Sequence, residues 1–350
     1  MLSYRRPVDM AGANASHGVE VKEPQSMKRV RPLEAISRGY LPPWPIVRRL
    51  IAGTFFLAAF FLRSRAARDH RFTGTSTERA YARPRRSFDV SEYQPGMRYC
   101  SANEKYLRPT LYCNSHAPCV VALAHQLGAY RLSDRDYAEV AFEFVKRNIT
   151  FELLPLGEVE ETIQRGTGAC LHRLALLVAL LRTAGIRTRY TLYTLTSMDT
   201  SERTLGNDVG AKWSSETGRL LYHGQAEARI GDEWMVGSIG LTPERQASLG
   251  LPITRFGEVT LGTWYTPDPR SLVTVESIPY GLNSFARFVC HIAPAAIDRV
   301  NANIVEQCHL GRAILDEAGE EAYDARARLP FQKAGPSIIL KRREQIVFRR

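Results

Sequence analysis

The stretch that most limits how this chain can fold is Gly166-Thr-Gly-Ala-Cys170-Leu-His172-Arg173-Leu-Ala-Leu-Leu-Val-Ala-Leu-Leu181-Arg182-Thr-Ala-Gly185-Ile186-Arg-Thr-Arg189-Tyr190. Leu174, Leu177, Val178 and Leu181 follow the helical period, and the positions between them are largely apolar too. Such a helix is buried nearly all round, which predicts the central helix of a domain. Gly185 stands where a left-handed C-terminal glycine belongs. Thr188 to Leu195 then alternates and is rich in β-branched and aromatic residues, a strand. The helix opens at Cys170, after Gly-Thr-Gly. Its unpaired first-turn N–H groups and positive dipole end favour a thiolate there over a thiol.

Downstream, Tyr222-His223-Gly-Gln225-Ala-Glu227-Ala-Arg229 places a histidine on a predicted strand. A cysteine and a histidine brought together by a fold are the minimum for thiol-based acyl transfer. Leu220 to Ile230 and Glu233 to Ile239 read as two strands joined at Gly231-Asp232, a type I′ hairpin signal. Pro118 to Gly128 reads as a helix. Ser133 caps a second one with Asp136 at N3, and Tyr137, Val140, Ala141, Phe144 and Val145 give it an apolar face. Ile149 to Leu154 is extended and Val159 to Gln164 a short helix. Ser197 to Gly218 is a polar loop. Beyond Gly250, Phe256 to Tyr265 is weakly extended, Asn283 to Ile292 and Ala296 to Ala318 are helical, and Lys341 to Arg350 is a basic, solvated tail. Helices, a cysteine helix and then an antiparallel sheet make an α+β domain.

Charge is unevenly spread. Residues 1–90 hold 17 Lys and Arg against 7 Asp and Glu, a balance of +10, whereas the other 260 hold 30 against 29. The body therefore carries no electrostatic footprint for nucleic acid. Residues 1–45 lack any period and read as disordered. Leu50 to Leu62 is an apolar run of 13 residues with Arg48 and Arg49 before it and Arg63, Arg65 and Arg68 after it. A run this short rarely spans a bilayer as a helix, though Ile46 and Val47 extend it if the arginines snorkel. Membrane contact through 46–62, docking of that helix on the body, or a leader read from an early start codon are the alternatives. Residues 64–95 are a polar linker.

The six cysteines, Cys100, Cys113, Cys119, Cys170, Cys290 and Cys308, have irregular spacing. They read as reduced thiols of a cytoplasmic protein, with a membrane-associated location as the alternative. Cys113, His116 and Cys119 offer three ligands at loop spacing but no second cluster to complete a zinc site, so no metal is expected. No phosphate loop or dinucleotide fingerprint is present, and no cofactor is expected.

The cysteine–helix–strand unit resembles the transglutaminase-like superfamily, with its papain-like cysteine fold. The resemblance rests on Gly168-Ala-Cys170, on Leu-Leu-Arg182-Thr-Ala-Gly185-Ile186-Arg-Thr-Arg189-Tyr190, and on His223-Gly-Gln-Ala-Glu227-Ala-Arg-Ile-Gly-Asp-Glu-Trp234. Tyr106-Leu-Arg-Pro109-Thr110 is similar to the family's entry segment. It implies a core at 91–245, with 1–90 a basic leader and 246–350 a mainly helical extension packed on the core. It also implies Cys170 as nucleophile and His223 as general base and acid. The family's third member is normally an acidic or amide residue four positions after the hairpin tryptophan, and here that position holds Ser238. A serine can accept the imidazole N–H but cannot stabilise imidazolium by charge. Glu227, on the same strand face as His223, is the alternative carboxylate, although a glutamate here is usually structural in the family.

The function implied is acyl transfer or hydrolysis at an amide or thioester carbonyl of a peptide, protein or small molecule. Water as acceptor gives an amidase or peptidase, and an amine gives an amide-forming transferase. The alternative is a non-catalytic member of the fold that binds a peptide or protein. The oligomeric state and the acceptor are not legible.

Overall fold

The computed structural model describes residues 32–63, 86–198, 222–260, 265–267, 271–292 and 294–333. The order is α1 (Pro32–Ser37), α2 (Trp44–Arg63), α3 (Pro118–Gln126), α4 (Asp134–Asn148), β1 (Thr150–Phe151), α5 (Val159–Arg165), β2 (Thr167–Gly168) and α6 (Cys170–Thr183). Then come β3 (Thr188–Tyr193), β4 (Leu195–Met198), β5 (His223–Ile230), β6 (Glu233–Gly237), α7 (Pro243–Ser248), β7 (Tyr265–Pro267) and β8 (Val273–Val275), followed by α8 (Leu282–Ile292), α9 (Pro294–Ala318) and α10 (Glu320–Lys333). Mixed helix and antiparallel sheet is the fold class expected from the sequence. The basic tail and most of the 197–218 loop and the 64–95 linker lie outside the described residues.

α6 is the hub. Every residue from Leu171 to Thr183 is buried. Gly185 ends the helix at φ 86°, as its position predicts. The helix lies on a four-stranded antiparallel sheet of order β6-β5-β3-β8. Ala226 and Ala228 of β5 are buried, and two glycines let α6 approach. A Cβ at Gly224 would meet Leu192 Cδ2 at 2.7 Å and Leu174 Cδ1 at 3.2 Å. One at Gly237 would meet Leu177 Cδ2 at 3.0 Å. α3 and α4 pack on the remaining flanks of α6.

Arg182, fully buried in the last turn of α6, binds several segments together. Its guanidinium donates to the carbonyls of Thr188 (2.8 and 3.1 Å), Arg108 (2.9 Å) and Glu276 (2.7 Å) and to the Thr110 hydroxyl (3.2 Å). Glu276 in turn pairs with Arg108 at 2.8 Å and accepts the Tyr106 N–H at 2.9 Å. Tyr106 meets Trp234 edge to face, 5.6 Å between centroids. The Tyr106–Thr110 segment thus closes the end of the sheet.

Several local expectations change. In the 231–232 hairpin only Gly231 has positive φ (58°), whereas a type I′ turn needs it at both central residues. The buried face of α4 is Tyr137, Ala138, Ala141, Phe142 and Val145, while Val140 is exposed. Ala138 and Phe142 take the place expected of Val140, and Phe144 packs at the edge of the core. No strand forms over 256–260, and Tyr265–Pro267 is the strand β7. Residues 32–45, expected to be disordered, include α1 and an ordered approach to α2. Tyr280 N–H bonds the Tyr40 carbonyl at 2.9 Å, and Ile46 enters the main core.

Candidate active site

Cys170 is the first residue of α6, after the N-cap Ala169. Alanine has no side chain to cap with, and His172 does the work instead. Its Nδ1 accepts the Ala169 N–H at 3.2 Å. The neutral ring then carries its proton on Nε2, which donates to the Pro155 carbonyl at 3.1 Å, with the Gly157 amide 3.0 Å away. Gly168 allows this fold-back, since a Cβ there would stand 2.6 Å from His172 Cβ. Burial lowers the His172 imidazole to about 4, so it stays neutral at ordinary pH. His172 thus serves the local backbone around the start of α6.

The Cys170 thiol departs from expectation. The backbone N–H groups of Leu171 and Cys170 and the charge of Arg173 all pull its pKa down, as a helix start should. Burial outweighs them and pushes it up to about 11. Burial thus favours the thiol over the thiolate at this partly buried residue. A helix dipole is legible in sequence, whereas the depth of the sulfur is not.

His223 opens β5, opposite Tyr193 of β3. Its neighbour Gly224 sits against Leu174, one helical turn after Cys170, so the start of β5 runs beside the first turns of α6. Burial lowers the His223 imidazole to about 4. Among the described residues Cys170 and His223 are not hydrogen-bonded to one another.

Ser238 follows β6 and is buried. Gly237 stands opposite Ala226, three residues from His223. The Ser238 hydroxyl shares a 2.8 Å hydrogen bond with the Thr260 hydroxyl, and no hydrogen bond joins it to His223 among the described residues. Glu227 is occupied elsewhere. It accepts from Arg189 Nε at 2.7 Å and the Thr191 hydroxyl at 2.8 Å. Arg189 lies over the Trp234 ring at 3.9 Å. Four residues of strand separate Glu227 from His223 by about 13 Å. Glu227 is a cross-strand partner in the face built around Trp234.

Three buried cations around α6 escape sequence reading. Arg173, one turn below Cys170, is fully buried and donates to the carbonyls of Gly240 (3.1 Å) and Lys146 (3.0 Å). Its Nε is buried with no hydrogen-bond partner, and no carboxylate forms an ion pair with it among the described residues. Lys146 donates Nζ to the Thr254 carbonyl, and burial lowers it to about 8. Arg245 donates to Gln307 at 3.1 Å and lies 5.3 Å over the Phe151 ring, and burial brings it to about 10. The available signal was an arginine three residues after the cysteine in an otherwise apolar stretch of helix.

α9 covers this side. Asn301 accepts the Leu153 N–H at 2.8 Å and donates to its carbonyl at 3.1 Å. Gly311 presses on α7 so closely that a Cβ would stand 1.7 Å from the Glu244 carbonyl oxygen. Elsewhere, Cys113 is fully buried and His116 Nε2 bonds the Cys100 carbonyl at 2.9 Å. Among the described residues no three His, Cys, Asp or Glu side chains gather as metal ligands.

Residues 121–237 match the transglutaminase-like superfamily. No curated protein is matched. Among solved structures, "a Putative Cysteine Protease from Cytophaga hutchinsonii" is similar at 20% identity over 39% of this chain and 42% of that one, with a TM-score of 0.30. The likeness thus spans less than half of either chain, and nothing is carried over from it.

Proposed function

We propose, from the match of residues 121–237 to the transglutaminase-like superfamily, that this chain is a thiol-dependent enzyme acting on an amide or thioester carbonyl. Cys170 is the nucleophile and His223 its base. The observation that carries the reading is the seating of Gly224 on Leu174, which lays the His223 end of β5 alongside the helix start that bears Cys170.

Burial favours the thiol of Cys170 and the neutral ring of His223, so in this reading the reaction begins by general-base catalysis. As the sulfur attacks the carbonyl carbon, its proton passes to His223. The oxyanion collects on the Cys170 backbone N–H, and the buried Arg173 charge one turn away favours the developing negative charge. The tetrahedral intermediate then collapses, breaking the carbonyl carbon's bond to the leaving amine or thiol, which takes the proton from His223 and leaves the acyl group on Cys170. Water or an amine then resolves the acyl-enzyme, giving hydrolysis or transfer. The acyl donor is a peptide, a protein or a small amide or thioester.

The test uses p-nitrophenyl acetate, whose ester acylates a reactive thiol with release of p-nitrophenol. Intact-mass and peptide spectra should place one acetyl group on Cys170, with p-nitrophenol release slowed about a hundredfold in His223→Ala. No adduct on Cys170, or equal rates in the variant, would remove the enzyme reading. The second reading, a binding module on the same fold, is favoured by the Ser238 bond to Thr260, which leaves the third catalytic position engaged elsewhere.

A further inference from the structure

α2 leaves the body with an apolar face turned to solvent. Ile46 is buried in the main core, and the Tyr222 hydroxyl bonds the Pro45 carbonyl at 3.4 Å, so the start of the helix is fastened. Trp44 is 69% exposed, Ile51 50% and Phe55 74%. At 3.6 residues per turn these three fall on one side of the helix, with Ile46 opposite. Arg48, also exposed, lies on the same side. α1 adds the exposed Leu33 and Ile36.

The charge pattern says what covers this face. Between Glu34 and Asp69 the sequence has six arginines and no acidic residue, and residues 1–90 as a whole carry +10. A second copy of the chain would bring two such basic segments together. An anionic lipid surface takes both features at once: acyl chains for the large side chains and phosphates for the arginines. None of the described helices is long and apolar enough to cross a membrane, which leaves an in-plane arrangement.

We propose that α2 lies in the headgroup layer of an anionic bilayer, Trp44, Ile51 and Phe55 inserted, and holds the Cys170 domain at that surface. The proposal is independent of whether Cys170 is reactive.

The full chain is sedimented with vesicles of phosphatidylcholine containing about one quarter phosphatidylglycerol, and with phosphatidylcholine alone. It should pellet with the anionic vesicles, release at high salt, and lose about tenfold or more in partitioning in the double variant Ile51→Glu/Phe55→Glu. Both changes are at exposed positions, and an unchanged melting curve checks the fold. Equal pelleting with both vesicle types, or none with either, overturns the proposal. So does self-association in light scattering that the double variant abolishes, which would assign the face to a second copy.

Discussion

Arg173 Nη2 donates to the backbone carbonyl of Lys146 at 3.0 Å, so one buried cation is held by the main chain of another. The pair ties α6 to the last turn of α4 and puts a cation with no ion-pair partner among the described residues one turn below Cys170.

That charge should be measurable at the sulfur. Arg173→Met removes a cation that favours the thiolate, so the pH for half-maximal alkylation of Cys170 by iodoacetamide should rise by about one unit, while Arg173→Lys keeps most of the wild-type profile. Below the midpoint the alkylation rate follows the thiolate fraction, so peptide mapping of the alkylated protein between pH 7 and 10 should read the shift as roughly tenfold slower modification at each pH. An unchanged profile in Arg173→Met would mean that the charge is not felt at the sulfur.

Gly224 is the second lever. Gly224→Val drives new carbon into Leu192 and Leu174 and should cost about 1–3 kcal/mol of stability, read as a lower urea midpoint. The thioacylation rate should fall further than stability explains, because the clash sits between β5 and α6. Adding Leu174→Ala should restore part of both.

Acid sensitivity follows from the buried histidines. His172 binds its proton at about 4 in the folded chain against 6.5 ordinarily. Between those values the unfolded chain holds more protons than the folded one. Stability is therefore fully present above about pH 6.5 and declines as pH falls toward about 4. For this nearly solvent-free ring the loss is on the order of 3 kcal/mol. His172→Gln, which keeps an acceptor for the Ala169 N–H, should flatten the dependence of the urea midpoint on pH across that window.

α9 can be loosened with one methyl group. Gly311→Ala cannot be accommodated while the helix stays against Glu244, so α9 must lift from α7. Amide exchange should quicken across 294–318, and Cys308 should react faster with a thiol reagent. Unaltered exchange would show that this helix gives elsewhere.

The central helix, its glycine stop and the β5–β6 hairpin were legible because period and turn chemistry are local. Ser133 accepts the Asp136 N–H at 3.2 Å, as its spacing requires. What escaped depends on distant partners. Val273–Val275 is too short to announce a strand and is defined by pairing with β3. α10 has little amphipathic pattern and contains Pro330. It is fixed instead by Asp324, which accepts the Ile253 N–H at 2.8 Å and pairs with Arg328 at 2.8 Å. At the candidate site, the residue types at Cys170, His223 and Ser238 could be read off. The depth that makes Cys170 a thiol and His223 neutral could not, because desolvation comes from the whole packed chain.

Arg182 makes the fold conditional. Its guanidinium is acceptable in the interior only when the 108–110 loop, the first residue of β3 and the chain at Glu276 all present their oxygens. A state with any of these missing buries a bare cation or must expel it, so docking of the three is all-or-none. A fragment cut to 121–237 keeps Arg182 and Thr188 but discards the oxygens of Arg108, Thr110 and Glu276. The recognisable segment thus omits three of the oxygens that hold Arg182 in the interior.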